Sequence, residues 1–312
     1  MFEAETIERP AMRQLAALAL IPLLAAAQAP TPAKPKTPGE IIAEAPRSDW
    51  REITSEDLLV LEFKDGGKVV IQLAPDFAPV HVANIKALAT AGYWQGAAIY
   101  RVHDNYVAQW GNNETERPLP AGVVAQPPAE YFRALAGLDV VPLGSPDPYE
   151  PLVGYAQGWP VAVDTSDSTV NLAHCYASVG VGRGLSPDTG MGGELYAVIG
   201  HGPRALDRVI ANVGRVVSGI ENLSSLPRGT EALGFYKERS MDVPIATVRL
   251  ASSMPEGERP RFEYLDEKSR SFAAWLAVKK NRRDDFYIHP AGGVDLCNAT
   301  VPVRPVPAGL NP

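Results

Sequence analysis

Arg101, Tyr106 and Gln109 lie close together in Ile99-Tyr-Arg-Val-His-Asp-Asn-Tyr-Val-Ala-Gln-Trp-Gly111, between two short apolar, strand-like runs. The arginine supplies a fixed cationic fork, the tyrosine an apolar face, and the glutamine both a donor and an acceptor. None of the three is a nucleophile, so the chemistry they suggest is conformational rather than bond-breaking. Such a group could bind a proline-containing peptide and twist its amide. Rotating that amide takes about 18–20 kcal/mol, although its two isomers differ by only about 0.5–1 kcal/mol. As the bond twists, the nitrogen becomes pyramidal and gains a lone pair. A donor aimed at that nitrogen stabilises the twisted state more than either planar state. Arg101 is the candidate donor. Taken one at a time, the residues have plainer readings: Arg101 in a surface ion pair, Tyr106 in strand packing, Gln109 as an exposed strand amide.

The neighbouring sequence must position these groups. Leu58–Phe63 and Lys68–Leu73 are β-rich and joined by Asp65-Gly66-Gly67, a hairpin signal. Pro79 suits a first helical turn, Val82, Ile85, Leu88 and Ala89 recur at helical spacing, and Gly92 supplies the stop. Residues 112–169 carry many prolines and read as an inserted surface loop, with Pro127–Phe132 turning into a short strand or helix. Val170–Cys175 and Val243–Leu250 read as strands. Gly180–Gly193 reads as a flexible loop. Ser218–Leu226 reads as a second helix, with Ser218 as its cap. Phe272, Trp275, Leu276 and Lys279 mark an amphipathic helix in the C-terminal part.

The run around Arg101 resembles the signature strand pair of the cyclophilin-type peptidyl-prolyl isomerases. Val69–Asn84 is similar to that family's second strand and first helix, and Ala91-Gly-Tyr-Trp94 to the segment before the signature. Gly192–Gly200, Ala205-Leu-Asp207 and Val213–Gly219 follow in the family's order. The resemblance covers roughly residues 56–252. It implies a mainly β fold, a closed antiparallel β-barrel capped by two α-helices. It also implies isomerase activity on Xaa-Pro bonds without a cofactor or metal, and proline-containing polypeptides as partners. Arg101 and Gln109 would be catalytic, with Gln109 hydrogen-bonding the substrate backbone. Tyr106, Val107, Tyr196 and Leu206 would bind the substrate.

Several positions depart from the family pattern. Ala205 stands where the best-studied members have tryptophan, and Ile210 falls on the pocket histidine. Glu194 replaces a glutamine, Trp110 a glycine and Tyr196 a phenylalanine. The pocket's small residue aligns near Ala173–Cys175. These changes imply modest activity, altered peptide preference and weak cyclosporin binding. They leave a second reading open: a catalytically weak proline-peptide binding module or chaperone on the same fold.

Composition narrows the remaining classes. A net charge of −7 and a pI near 5.4 argue against a nucleic-acid binder. The histidines at 81, 103, 174, 201 and 289 lack metal-ligand spacing and read as isolated. Gly180-Val-Gly-Arg-Gly184 lacks the Lys-Ser/Thr ending of a phosphate loop, and no Gly-x-Ser-x-Gly elbow is present. Arg13, the apolar run Leu15–Ala27 and Ala27-Gln-Ala29 read as a signal peptide over residues 1–29, with Met12 as an alternative start. An uncleaved N-terminal anchor is the competing reading. Export, and a periplasmic location inferred from export and family together, are the expectation, with no membrane span once the signal is cleaved. Residues 30–48 read as an extended Pro/Ala-rich linker, 49–252 as the isomerase-like domain, and 253–312 as a C-terminal extension. Cys175 and Cys297 could pair in an oxidising compartment or stay as two free thiols. The sequence is silent on oligomeric state.

Overall fold

A computed structural model describes residues 35–112, 117–307 and 309. The signal-peptide reading of residues 1–29 lies outside the described residues. Apolar residues crowd the strands that the sequence marks as β, and their pairing closes a barrel. In hydrogen-bonding order its eight strands are Ser178–Val181, Leu195–Val198, Val107–Gly111, Ala98–Val102, Val243–Leu250, Leu58–Phe63, Lys68–Leu73 and Asn212–Ser218. Every pair is antiparallel, and Asn212–Ser218 returns to Ser178–Val181. Closure leaves no free sheet edge.

The helix Pro79–Thr90 has Pro79 in its first turn and buries Val82, Ile85, Leu88 and Ala89 in the barrel core. The second sealing element is much shorter than Ser218–Leu226. Only Glu221–Ser224 is α-helical, and Ser218 ends a strand instead of capping a helix. Gly219 explains the shortening. With φ at +83°, it brings the chain so close to Lys68 that a Cβ would lie 1.9 Å from the Lys68 carbonyl oxygen. Few residues then remain before Pro227 ends the helical stretch. Leu223 still plugs the core.

The region expected as an inserted loop instead builds most of a second sheet. Arg133–Ala134, Thr169–Leu172, Trp159–Asp164, Leu152–Ala156 and Val141–Pro142 form five antiparallel strands in that spatial order. Gln157 and Gly158 turn the central hairpin with φ of +53° and +80°. Two positive φ values match the twist of the flanking strands. Pro160 sits inside a central strand, opposite Tyr155, and its carbonyl still accepts from the Ala173 N–H at 3.1 Å. A proline there argues against a strand on sequence grounds, which is why the sheet was hidden.

The expected linker is also partly folded. Pro38–Glu44 is a helix closed by a reciprocal capping box between Thr37 and Glu40. Trp50–Glu52 pairs with Phe262–Leu265, which pairs in turn with Val303–Pro305. The amphipathic helix is Arg270–Asn281, and it buries Phe272, Trp275 and Leu276. Those side chains share one core with Trp50, Leu143, Val153 and Tyr155. The insertion and the extension, read as separate additions, are therefore two halves of a second core. Cys175 and Cys297 form a disulfide across it, with Cα atoms 5.0 Å apart. Ala45, Trp50, Tyr155 and Phe272 pack in that one core, which spans the expected boundaries near 49 and 253. Among the described residues, no helix is long and apolar enough to cross a membrane.

Candidate active site

Arg101 and Gln109 are register partners on the adjacent strands Ala98–Val102 and Val107–Gly111. The register slips between Ile99 and Arg101, so Tyr100 is an extra, bulged residue. A bulge re-aims side chains, and here it lets both Tyr100 and Arg101 reach Gln109. Arg101 Nη1 donates to Gln109 Oε1 at 2.8 Å, and Gln109 Nε2 donates to the Tyr100 hydroxyl at 2.6 Å. That hydroxyl donates to Glu194 Oε2 at 2.5 Å. Arg101 Nε donates to the Leu233 carbonyl at 2.7 Å.

The Arg101 guanidinium lies over two rings, 5.9 Å from the Tyr106 centroid and 5.5 Å from that of Phe235. Phe235 also stacks on Tyr100 at 5.9 Å. Partial burial lowers the Arg101 pKa, opposed by the nearby tyrosine oxygens. Arg101 Nη2 donates to no other described residue, which leaves it free to meet a ligand.

Beside Arg101 an apolar pocket is built on the paired strands Val107–Gly111 and Leu195–Val198 and the turn that carries Leu206 and Ile210. Tyr106, Leu206 and Ile210 are half-buried and pack on Val107, Tyr196 and Val198. Val107, Val198 and Tyr196 are at most 4% exposed and form the layer beneath the pocket, and Tyr106, Leu206 and Ile210 form its rim. Ala205, in the tryptophan position, is exposed and leaves that side open. The Tyr196 phenol turns inward to His174, with its oxygen 3.2 Å from Nε2. Asp207 Oδ1 accepts the His174 backbone N–H at 2.8 Å and lies 3.0 Å from His174 Nδ1. A proton on Nδ1 satisfies that contact, which makes Nε2 the acceptor for the phenol. Arg204 completes the support by donating to Asp207 at 2.6 Å and, as a fork, to Asp147 at 2.9 Å twice. His174 is therefore not isolated, and neither is His81. His81 Nδ1 lies 2.6 Å from Glu130, whose carboxylate also accepts the Val80 and His81 backbone N–H groups.

An open cleft of about 380 Å³ continues from Gln109 between Tyr93, Arg183, Asp188, Met191 and Glu194. Two expectations about its wall are corrected. Gly180 belongs to the strand Ser178–Val181, opposite Tyr196, and not to a flexible loop. The loop that follows is tied down: Gly182 N–H donates to the Glu194 carbonyl, Gly184 and Gly190 N–H groups to Asp188, and the Thr189 hydroxyl to the Pro127 carbonyl. The small residue facing Gln109 is Gly182, whose added Cβ would lie 3.2 Å from Gln109 Nε2. Ala173 and Cys175 lie in the second core instead. The insertion braces this loop from outside through Pro127 and through Tyr131, over which Arg183 sits at 5.7 Å. Of the insertion's described residues, Ala125 lines the cleft.

Sequence reasoning missed Tyr100, Phe235 and the Leu233 carbonyl. The bulge that recruits Tyr100 leaves no local pattern, and Phe235 reaches the site from a distant loop. Among the described residues no cluster of three metal-ligating side chains occurs. The site therefore offers a cation with spare donors, an amide beside it, an apolar pocket and no nucleophile–base pair.

The family model described as cyclophilin type peptidyl-prolyl cis-trans isomerase/CLD matches residues 58–252. A Brucella suis protein named as a probable peptidyl-prolyl cis-trans isomerase is 26% identical over 177 residues, which span 57% of this chain and 74% of that one. A Brucella abortus protein of the same name is 25% identical over the same shares. The crystal structure of a cyclophilin from Hirschia baltica superposes with a TM-score of 0.63 at 21% identity, over 82% of this chain and 96% of that one. With the family's model matched from the first barrel strand to the end of the last, the chain belongs to the cyclophilin-type peptidyl-prolyl cis-trans isomerases.

Proposed function

We propose that Arg101 performs the isomerisation by donating from Nη2 toward the prolyl nitrogen as the amide twists. The observation that carries this reading is the way Arg101 is held. Nε and Nη1 are committed to Leu233 and Gln109, and the flat cation rests against the rings of Tyr106 and Phe235. A fixed donor needs little reorganisation when charge develops on the nitrogen, the condition under which electrostatic stabilisation is strongest. The proline ring sits against Tyr106, Leu206 and Ile210, over Val107 and Tyr196. Gln109 has two lone pairs on Oε1, one of them taken by Arg101, and offers the other to a peptide N–H. The open side at Ala205 admits a bulkier neighbour of the proline than a walled pocket would.

The substrates in this reading are proline-containing segments of exported proteins, met in a periplasm-like compartment. The signal-like N-terminus supports export, and the Cys175–Cys297 disulfide suits an oxidising compartment. Fractionation of cells, with N-terminal sequencing of the mature chain, tests the location.

NMR exchange on a short Xaa-Pro peptide tests the chemistry. Wild-type protein should accelerate exchange, and Arg101→Ala should lose about 10²–10³-fold, the usual loss for one transition-state donor. Peptide shifts without faster exchange would point to a binding module instead. Full activity in Arg101→Ala would remove Arg101 from the mechanism.

A further inference from the structure

Arg101, Gln109, Tyr100 and Glu194 form one unbroken hydrogen-bond chain with steps of 2.8, 2.6 and 2.5 Å. Its two ends differ in kind. A guanidinium can only donate, and an ionised carboxylate can only accept. Each middle member must then face one way: Gln109 shows oxygen to Arg101 and nitrogen to Tyr100, and Tyr100 gives its single proton to Glu194. We infer that Glu194 and Tyr100 are positioning residues whose hydrogen-bond polarity fixes the Gln109 amide in the orientation that holds Arg101, so that isomerisation requires ionised Glu194. This inference rests on the Arg101 reading above.

The carboxyl has a dedicated place. A Cβ at Gly111 would lie 2.0 Å from Glu194 Cδ, so glycine there makes the room. The bulge at Tyr100 brings its hydroxyl into line between Gln109 and Glu194. Protonation would undo the arrangement. A neutral acid can donate to the Tyr100 oxygen, which frees the phenol proton to turn toward Gln109. The amide then flips to accept it, and its NH₂ meets the donor-only Arg101.

Burial raises the Glu194 pKa above the ordinary glutamate value, against the Tyr100, Asn112 backbone and Gln109 hydrogen bonds. The charged and titratable neighbours come from every side. Arg101 and Tyr100 lie along the strand pair, Tyr93 and Arg117 stand on one flank, and Arg183 and Asp188 stand across the cleft. Asp188 titrates below the ordinary range because the Gly190 and Gly184 N–H groups hold its charge, so its window is separate. Tyr93 and Tyr100 are raised by burial and by Glu194 itself, which removes them from the acid range.

The test is kcat/KM for an Xaa-Pro peptide from about pH 4 to 8, beginning below the ordinary glutamate value, for wild type, Glu194→Gln, Tyr100→Phe and the double variant. Wild-type activity should fall on the acid side. Each single variant should lose about tenfold at neutral pH, the scale of one net hydrogen bond. Both should lack the wild-type acid limb, and the double variant should lose no more than either alone. In wild type, the Gln109 side-chain amide signals should titrate with the same midpoint as the activity. Because burial disfavours its charge, Glu194→Gln should melt no lower than wild type at neutral pH, which separates positioning from a general loss of structure. An unchanged acid limb in both variants, or additive losses, would overturn the inference while Arg101→Ala remains inactive. Activity in Arg101→Ala would instead overturn the reading on which it rests. If Glu194→Gln does not fold, Tyr100→Phe and the wild-type amide titration decide the matter.

Discussion

Gly180→Ala should both destabilise the fold and damage the proline pocket. An added Cβ would lie 2.2 Å from the Tyr196 oxygen, 2.3 Å from Cζ and 2.9 Å from Cε1. Ordinary contact begins at 3.4 Å, so the overlap at the oxygen is 3.4 less 2.2, or roughly 1.2 Å. The ring cannot retreat easily. Gly180 and Tyr196 are register partners, and the phenol is held 3.2 Å from buried His174. It must either swing toward Tyr106 and Leu206, filling the pocket, or force the strands apart. Overpacking costs about 1–3 kcal/mol, and separating the phenol from its imidazole adds about 1–3 kcal/mol. At roughly 2–4 °C per kcal/mol for a fold of this size, a total of about 2–6 kcal/mol should lower the melting midpoint by about 4–24 °C. Intrusion of the ring should also raise KM, so kcat/KM falls by about tenfold or more, one net contact's worth. Gly257→Ala is the control: nothing lies within 4 Å of its Cβ position, and its φ is not in the left-handed region. Thermal melts and the peptide exchange assay read both effects. A Gly180→Ala protein that melts with Gly257→Ala and keeps wild-type kcat/KM would refute the packing argument.

Three further outcomes follow from the second core and its flank. Breaking the Cys175–Cys297 bridge, by reductant or Cys297→Ser, opens a link across 122 residues, and the denaturant midpoint should drop by the equivalent of about 2–5 kcal/mol; a midpoint insensitive to reductant would contradict this. Ending the chain after Ser252 should expose Leu143, Val153 and Tyr155, giving an aggregating, dye-binding product; a soluble, monodisperse barrel would show that the second core is dispensable. Burial alone would raise the Asp147 pKa, but the Arg204 hydrogen bonds and the Tyr149 and Glu150 N–H groups outweigh it and lower it. A depressed carboxyl stabilises the fold above its unfolded pKa of about 3.9 and loses that contribution as pH falls through its folded value. The stability gap between wild type and Asp147→Asn should therefore be present at neutral pH and shrink below about pH 4; a gap independent of pH would refute the assignment.

The barrel was legible because its strands carry their own signals, such as Leu58–Phe63 and Lys68–Leu73 around a glycine turn. The pairing of Arg101 with Gln109 was legible because both lie on one short hairpin. The rest depends on distance or on rule-breaking residues. Pro160 disguises a central strand, although Gln157-Gly158 was a usable turn signal. Thr37-Pro-Gly-Glu40 held a capping box inside what reads as a linker. Phe235 and Leu233 reach Arg101 only through the closed fold, and no spacing in the chain announces that. The Tyr100 bulge changes which side chains face one another, an outcome of register and not of composition.

The three-stranded sheet sets the order in which the molecule can be finished. Glu263 is fully buried and bonded to Arg47 and, at 2.7 Å, to Arg304. Trp50–Glu52 finds its partner only at Phe262–Leu265, and Cys175 finds its own only at Cys297. While the chain emerges vectorially, its early strand and half of the inserted sheet's core must wait for the last fifty or so residues, at about 5–20 residues per second. Until then an apolar face stands open and Trp50–Glu52 has no partner strand. A chain built this way can close its second core only once Phe262–Leu265 and Cys297 are in place.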